Sequence, residues 1–162
     1  MFPVDLLRLA EIVLAKARAE KLRLATAESC TGGLIAACLT EIAGSSDVLE
    51  RGFVVYSNRA KTDLLGVPAD CIARYGAVSE EVARAMTKGA LDRAAVELAV
   101  SCTGVAGPSG GSALTPVGLV HIAAARVGRA TVHEVHRFGD IGRTEIRLAT
   151  VDAALRLLGR LL

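Results

Sequence analysis

Aromatic side chains are nearly missing from this chain: its 162 residues include three Phe, two Tyr and no Trp. That leaves no stacking platform for a single-stranded nucleic acid, and any core must be aliphatic. Charge of one sign is equally scarce. Nineteen Lys and Arg against seventeen Asp and Glu leave +2, without a dense basic run, so no nucleic-acid footprint is present. No apolar stretch reaches the roughly 18 residues of a membrane span. The opening MFPVDLLRLAEIVLAKARAEK carries Asp5, Arg8 and Glu11 where a secretion signal would stay apolar, and reads as an amphipathic first helix. The four cysteines (30, 38, 71 and 102) form no Cys-x-x-Cys, which fits reduced, mostly buried thiols in a soluble, cytoplasmic protein. Histidine offers no metal site either. His133 and His136 stand three apart on a predicted strand and face opposite sides, while His121 lies in an apolar strand pattern and reads as a core residue. Neither a metal nor a cofactor is expected.

What remains is aliphatic and periodic. A chain that is 52% hydrophobic suits one domain over 1–162, burying roughly 70% of its unfolded surface. Helical patterns cover 4–20, 33–43, 59–65, 80–93 and 143–161, with Asn58 and Ser79 as N-caps for the third and fourth. Strand patterns cover 22–27, 51–58, 95–102, 117–125 and 131–138, the last two joined by a tight turn at Gly128. The stretch 45–50 reads as a loop, and 69–75 as a short segment closed by Gly76. Five strands alternating with about five helices predict an α/β/α three-layer sandwich on a mostly parallel, mixed sheet.

The chemistry gathers at strand ends. TAESCTGG, 26–33, reads as strand, tight turn and helix start, the place where open α/β sheets put ligands and where helix N–H groups attract anions. Ser29 there can be a nucleophile beside an oxyanion site, or Ser29 or Thr31 can simply cap the helix. Cys30 is a second candidate nucleophile. Tyr56 closes the next strand, and Lys61 follows five residues on, so both can reach the rim where Ser29 lies. Lysine serves as a base only if desolvation lowers its pKa, because an ordinary one is neutral about once in a few thousand at pH 7. The loop TGVAGPSGGSALTP, 103–116, lacks the Walker A ending but can form an anion nest. Arg143 and Arg147 share a helix face and can hold a phosphate together or stay solvated.

In order, TAESCTGG, GFVVYSNRAKTDLLGV, GAVSEEVARAM and TGVAGPSGG with PVGLVHIA resemble the CinA C-terminal domain family, over about residues 5–160. Its single-domain members are nicotinamide mononucleotide deamidases, and nothing here corresponds to the extra N-terminal domain of larger CinA proteins. The resemblance implies an α/β/α sandwich that hydrolyses the carboxamide of nicotinamide mononucleotide to nicotinic acid mononucleotide and ammonia, without a metal. It implies a homodimer or larger homo-oligomer whose partner is a small nucleotide rather than nucleic acid or membrane. It puts the nucleophile on Ser29, with Lys61 and Tyr56 catalytic. Substrate contacts fall on Thr103, Gly104, Ala106 and Gly107, and on Arg143, while the glycine turn itself offers the N–H groups of Thr31, Gly32 and Gly33 as oxyanion donors. Two departures lie near the implied phosphate contacts: Thr115 replaces a common lysine, and the usual Gly-Asp-Arg is stretched to GDIGR, 139–143. A non-catalytic nucleotide- or partner-binding module linked to competence or DNA damage is the alternative.

Overall fold

The computed structural model describes residues 2–162. Its elements run α1 (Val4–Ala19), β1 (Leu24–Glu28), α2 (Leu34–Thr40), β2 (Leu49–Val54), α3 (Asn58–Leu65), α4 (Ala69–Tyr75), α5 (Glu80–Ala94), β3 (Leu98–Gly104), β4 (Leu119–Arg126), β5 (Val132–Arg137) and α6 (Arg143–Gly159). The strands form one sheet in the order β2-β1-β3-β4-β5. β1 pairs parallel with β2 and β3, while β4 is antiparallel to both β3 and β5. Four of the five strands therefore point the same way, as expected of a mostly parallel mixed sheet.

Alternation along the central strands sorts side chains into two cores. Leu98, Val100 and Cys102 of β3 face a layer of α1, α2 and α6, packed with Leu14, Ile35, Ile146 and Leu155. Ala25, Ala27 and Ala99 face α3, α4 and α5, against Val82, Met86 and Ala90. Small residues on this second face let α5 lie close. A buried hydroxyl chain fills the gap: Thr87 Oγ1 donates to Ser101 Oγ at 2.8 Å, and Ser101 Oγ donates to the Ala83 carbonyl at 2.7 Å. Gly89 is obligatory here, since a Cβ would stand 2.1 Å from the Leu65 carbonyl oxygen of α3.

Several boundaries move for local reasons. The 45–50 stretch is a 3₁₀ turn, Ser45–Asp47, and β2 begins at Leu49, which pairs with Leu24. The 69–75 segment is a helix. Ser57, not Asn58, caps α3: its Oγ accepts from the Ala60 N–H at 3.0 Å, and Asn58 becomes the first helical residue. Ser79 caps α5 as predicted, accepting from Val82. Among the described residues, no helix is long and apolar enough to cross a membrane.

Topology sets the place of the site. From β1 the chain moves to β2 on one side, then returns past β1 to β3 on the other. The strand order thus reverses between β1 and β3, and the crevice beyond their C-terminal ends is where such sheets bind ligands. The turns that follow Glu28 and Gly104 open onto it.

Candidate active site

Glu28, the last residue of β1, is completely buried. Its carboxylate accepts from Thr26 Oγ1 (3.1 Å), Thr31 Oγ1 (2.6 Å), and the N–H groups of Gly33 (3.1 Å), Ile35 (3.0 Å) and Ala36 (2.9 Å). The start of α2 therefore already carries an anion of its own, which satisfies helix donors that would otherwise be orphaned. Gly32 and Gly33 adopt positive φ, +61° and +101°, and Gly32 N–H donates to the Ser29 carbonyl. Thr31, Gly32 and Gly33 build the turn and do not line the cavity beside it. The sequence pattern alone assigns Glu28 no role. Its signal was an acid placed just ahead of a glycine turn and a helix start.

That turn delivers Ser29 to Lys61. Lys61 enters from α3 and is only 1% exposed. Its Nζ lies 3.1 Å from Ser29 Oγ, 2.9 Å from the Val55 carbonyl oxygen and 3.5 Å from that of Tyr56. No carboxylate pairs with it among the described residues. Burial holds its ammonium below the ordinary value of 10.5. All three oxygens accept from Nζ, and loss of one proton would leave a lone pair able to receive the Ser29 hydroxyl proton.

Tyr56 behaves differently. Its side chain is 62% exposed, and its phenol oxygen accepts from Arg143 Nη2 at 3.2 Å; only its backbone carbonyl touches Lys61. Cys30 is buried beside Cys102. A hydrogen bond to Cys102, reinforced by burial, pushes its thiol well above the usual range, which disfavours the thiolate.

The third wall is the β3–β4 loop. Thr103 Oγ1 donates to the Ala77 carbonyl at 2.7 Å, and a Cβ on Gly104 would come within 2.7 Å of the Leu119 carbonyl oxygen. Gly107, at φ +73°, offers its carbonyl to Arg143 Nη1 at 2.7 Å. Arg143 and Arg147 therefore diverge despite sharing a face, because Arg147 Nη2 donates to the Thr31 carbonyl at 2.7 Å. One helix, α6, thus ties all three strand-end loops together. The open cleft between them has a volume of about 280 Å³ and is lined by Ser29, Tyr56, Lys61, Thr103, Gly104, Ala106, Gly107 and Arg143, and also by Cys30, Asn58 and Ser109. Its wall carries Lys61 and Arg143 and no carboxylate. Asn58 was missed as a lining residue because it was read as a cap. Thr115 points elsewhere, bonding Ser112 across its own turn at 2.8 Å.

The histidines lie outside this cavity. His121 is half-buried and shares a 3.0 Å hydrogen bond with His133, whose other nitrogen is 3.5 Å from Glu80; burial lowers the pKa of both. His136 sits on the opposite face of β5, 3.0 Å from Glu134. Among the described residues no three His, Cys, Asp or Glu side chains gather as a metal site.

The profile of the CinA C-terminal domain matches residues 6–162. The chain is 50% identical over 154 residues to a CinA-like protein of Syntrophobacter fumaroxidans, covering 95% of this chain and 36% of the relative. A CinA-like protein of Syntrophus aciditrophicus is 51% identical over 144 residues, covering 88% and 34%. The chain thus spans little more than a third of the length of the curated relatives it matches. Solved structures match along nearly their whole length. The competence/damage inducible protein CihA from Agrobacterium tumefaciens superposes with a TM-score of 0.98 at 53% identity, over 99% of this chain and 98% of that one. The competence damage-inducible protein A from Klebsiella pneumoniae does so at 0.91 and 34% identity, over 96% and 95%.

Proposed function

The chain belongs to the CinA C-terminal domain family, and on that premise we propose that it is an amidohydrolase that converts nicotinamide mononucleotide to nicotinic acid mononucleotide and ammonia. The observation that carries the reading is the contact between Ser29 Oγ and an unpaired, buried Lys61 Nζ. A buried lysine with no counter-charge is costly to a fold, and its use as a base explains it. The non-catalytic alternative leaves it unexplained.

Neutral Lys61 takes the Ser29 proton as Oγ attacks the carboxamide carbon. The oxyanion meets the N–H of Cys30, since the residue after a nucleophile commonly supplies this donor. One such donor is worth about 3 kcal/mol of barrier. Lys61, now an ammonium, returns the proton to the departing nitrogen, and ammonia leaves. The acyl-serine is then cleaved by water, with Lys61 neutral again and acting as base. Arg143, against the Gly-rich loop, suits the ribose phosphate. The protein works without a metal, as a homodimer or larger homo-oligomer. The test is product analysis: purified protein should yield ammonia and nicotinic acid mononucleotide in equal amounts. Absence of both would overturn the reading.

A further inference from the structure

The mouth of the cavity carries a contact that the proposed reaction does not use. Arg143 bridges the Gly107 carbonyl (2.7 Å) and the Tyr56 phenol (3.2 Å), from two different loops. It has no carboxylate partner among the described residues, and no carboxylate lines the cavity beside it. With the Tyr56 phenol held by Arg143, Lys61 Nζ bonds only backbone carbonyls and Ser29 among the described residues.

We infer that Arg143 sets specificity for anion-bearing amides through Tyr56: an anionic group that takes the guanidinium releases the phenol into the cavity. The inference rests on the proposed amidohydrolase reading and adds a cause to its substrate choice. A guanidinium bonds an anion about twice as strongly as a neutral acceptor, and a phosphate can engage its fork bidentately. The phenol is the weaker of the two neutral partners, since its bond is the longer and its side chain is exposed. It is therefore the partner displaced. A freed Tyr56 has its hydroxyl available to orient the reacting groups, so binding energy from a remote phosphate is spent on the chemical step. An amide without an anionic end leaves Tyr56 where it is.

The experiment uses the whole chain and exploits its two tyrosines. Ring-¹³C tyrosine NMR is recorded while inorganic phosphate is added, with binding followed in parallel by calorimetry. The Tyr56 resonance should move saturably while that of Tyr75, which is stacked with Arg74, stays put. Arg143→Gln should abolish the movement. In the kinetic arm, inorganic phosphite should accelerate ammonia release from nicotinamide riboside by about 10-fold or more, and Arg143→Gln should remove that acceleration. Movement of Tyr56 with no ammonia from any amide would sink the amidohydrolase reading and leave the release of Tyr56 standing. A stationary Tyr56 with phosphate bound, or no phosphate binding at millimolar concentration, would overturn the inference whatever the enzyme hydrolyses.

Discussion

Two glycine-bearing turns follow adjacent parallel strands, and they look alike on paper. The turn after β1 ends in Thr-Gly-Gly before a helix; the turn after β3 runs Thr-Gly-Val-Ala-Gly-Pro. Both suit an anion. The first already holds one, because Glu28 spends its carboxylate on Thr31, Gly33, Ile35 and Ala36. The second is edged by Arg143, which meets only neutral oxygens. A helix N-terminus is thus a ligand site only while the chain's own acids leave it empty. In this protein the first turn aims a nucleophile, and the second is the one left to receive charge.

The sharpest way to break that division is to remove the base that the first turn serves. Lys61→Met should lower ammonia release by about 10³-fold or more while keeping the fold, since a similar apolar shape replaces a buried amine. Steady-state rates beside a thermal melt would check it. Glu28→Gln should cost about 2–4 kcal/mol in denaturant unfolding, because an amide brings donors into a ring of donors. Arg143→Gln, at the second turn, should change stability by no more than about 0.5 kcal/mol while weakening nucleotide binding, which calorimetry would measure. Equal stability losses in the two variants would erase the contrast. The pH dependence gives a subtler probe. Lys61 is held below 10.5 in the fold, so above its folded pKa the unfolded chain binds more protons and stability gains with pH until about 10.5. The stability difference between wild type and Lys61→Met should therefore rise over that window and be flat on both sides, and kcat/KM should rise through the lower limit. Thr115→Lys should do least, shifting apparent affinity by under about 0.5 kcal/mol, since Thr115 bonds within its own turn away from the cavity.

Much of the architecture was legible because aliphatic periodicity and glycine stops are local. β1, α3 and α6 needed little beyond their own residues. The convergence of Ser29 and Lys61 was also readable, since parallel strands share one rim. What escaped depended on side-chain direction. Spacing on a helix put Arg143 and Arg147 together, but carbonyls on different loops draw their guanidinium groups apart. Ser57 and Asn58 are both good caps, and only the backbone decided between them. Thr31, Gly32 and Gly33 gave no hint that an acid three residues upstream of Thr31 would fill the place meant for a ligand.

The assignment of Ser29 as nucleophile is decided by ammonia release from nicotinamide mononucleotide, measured side by side for wild type, Ser29→Ala and Cys30→Ala. Wild type and Cys30→Ala should release ammonia, and a folded Ser29→Ala should be nearly silent. Release by Ser29→Ala at the wild-type rate, or silence from a folded Cys30→Ala alone, would contradict it.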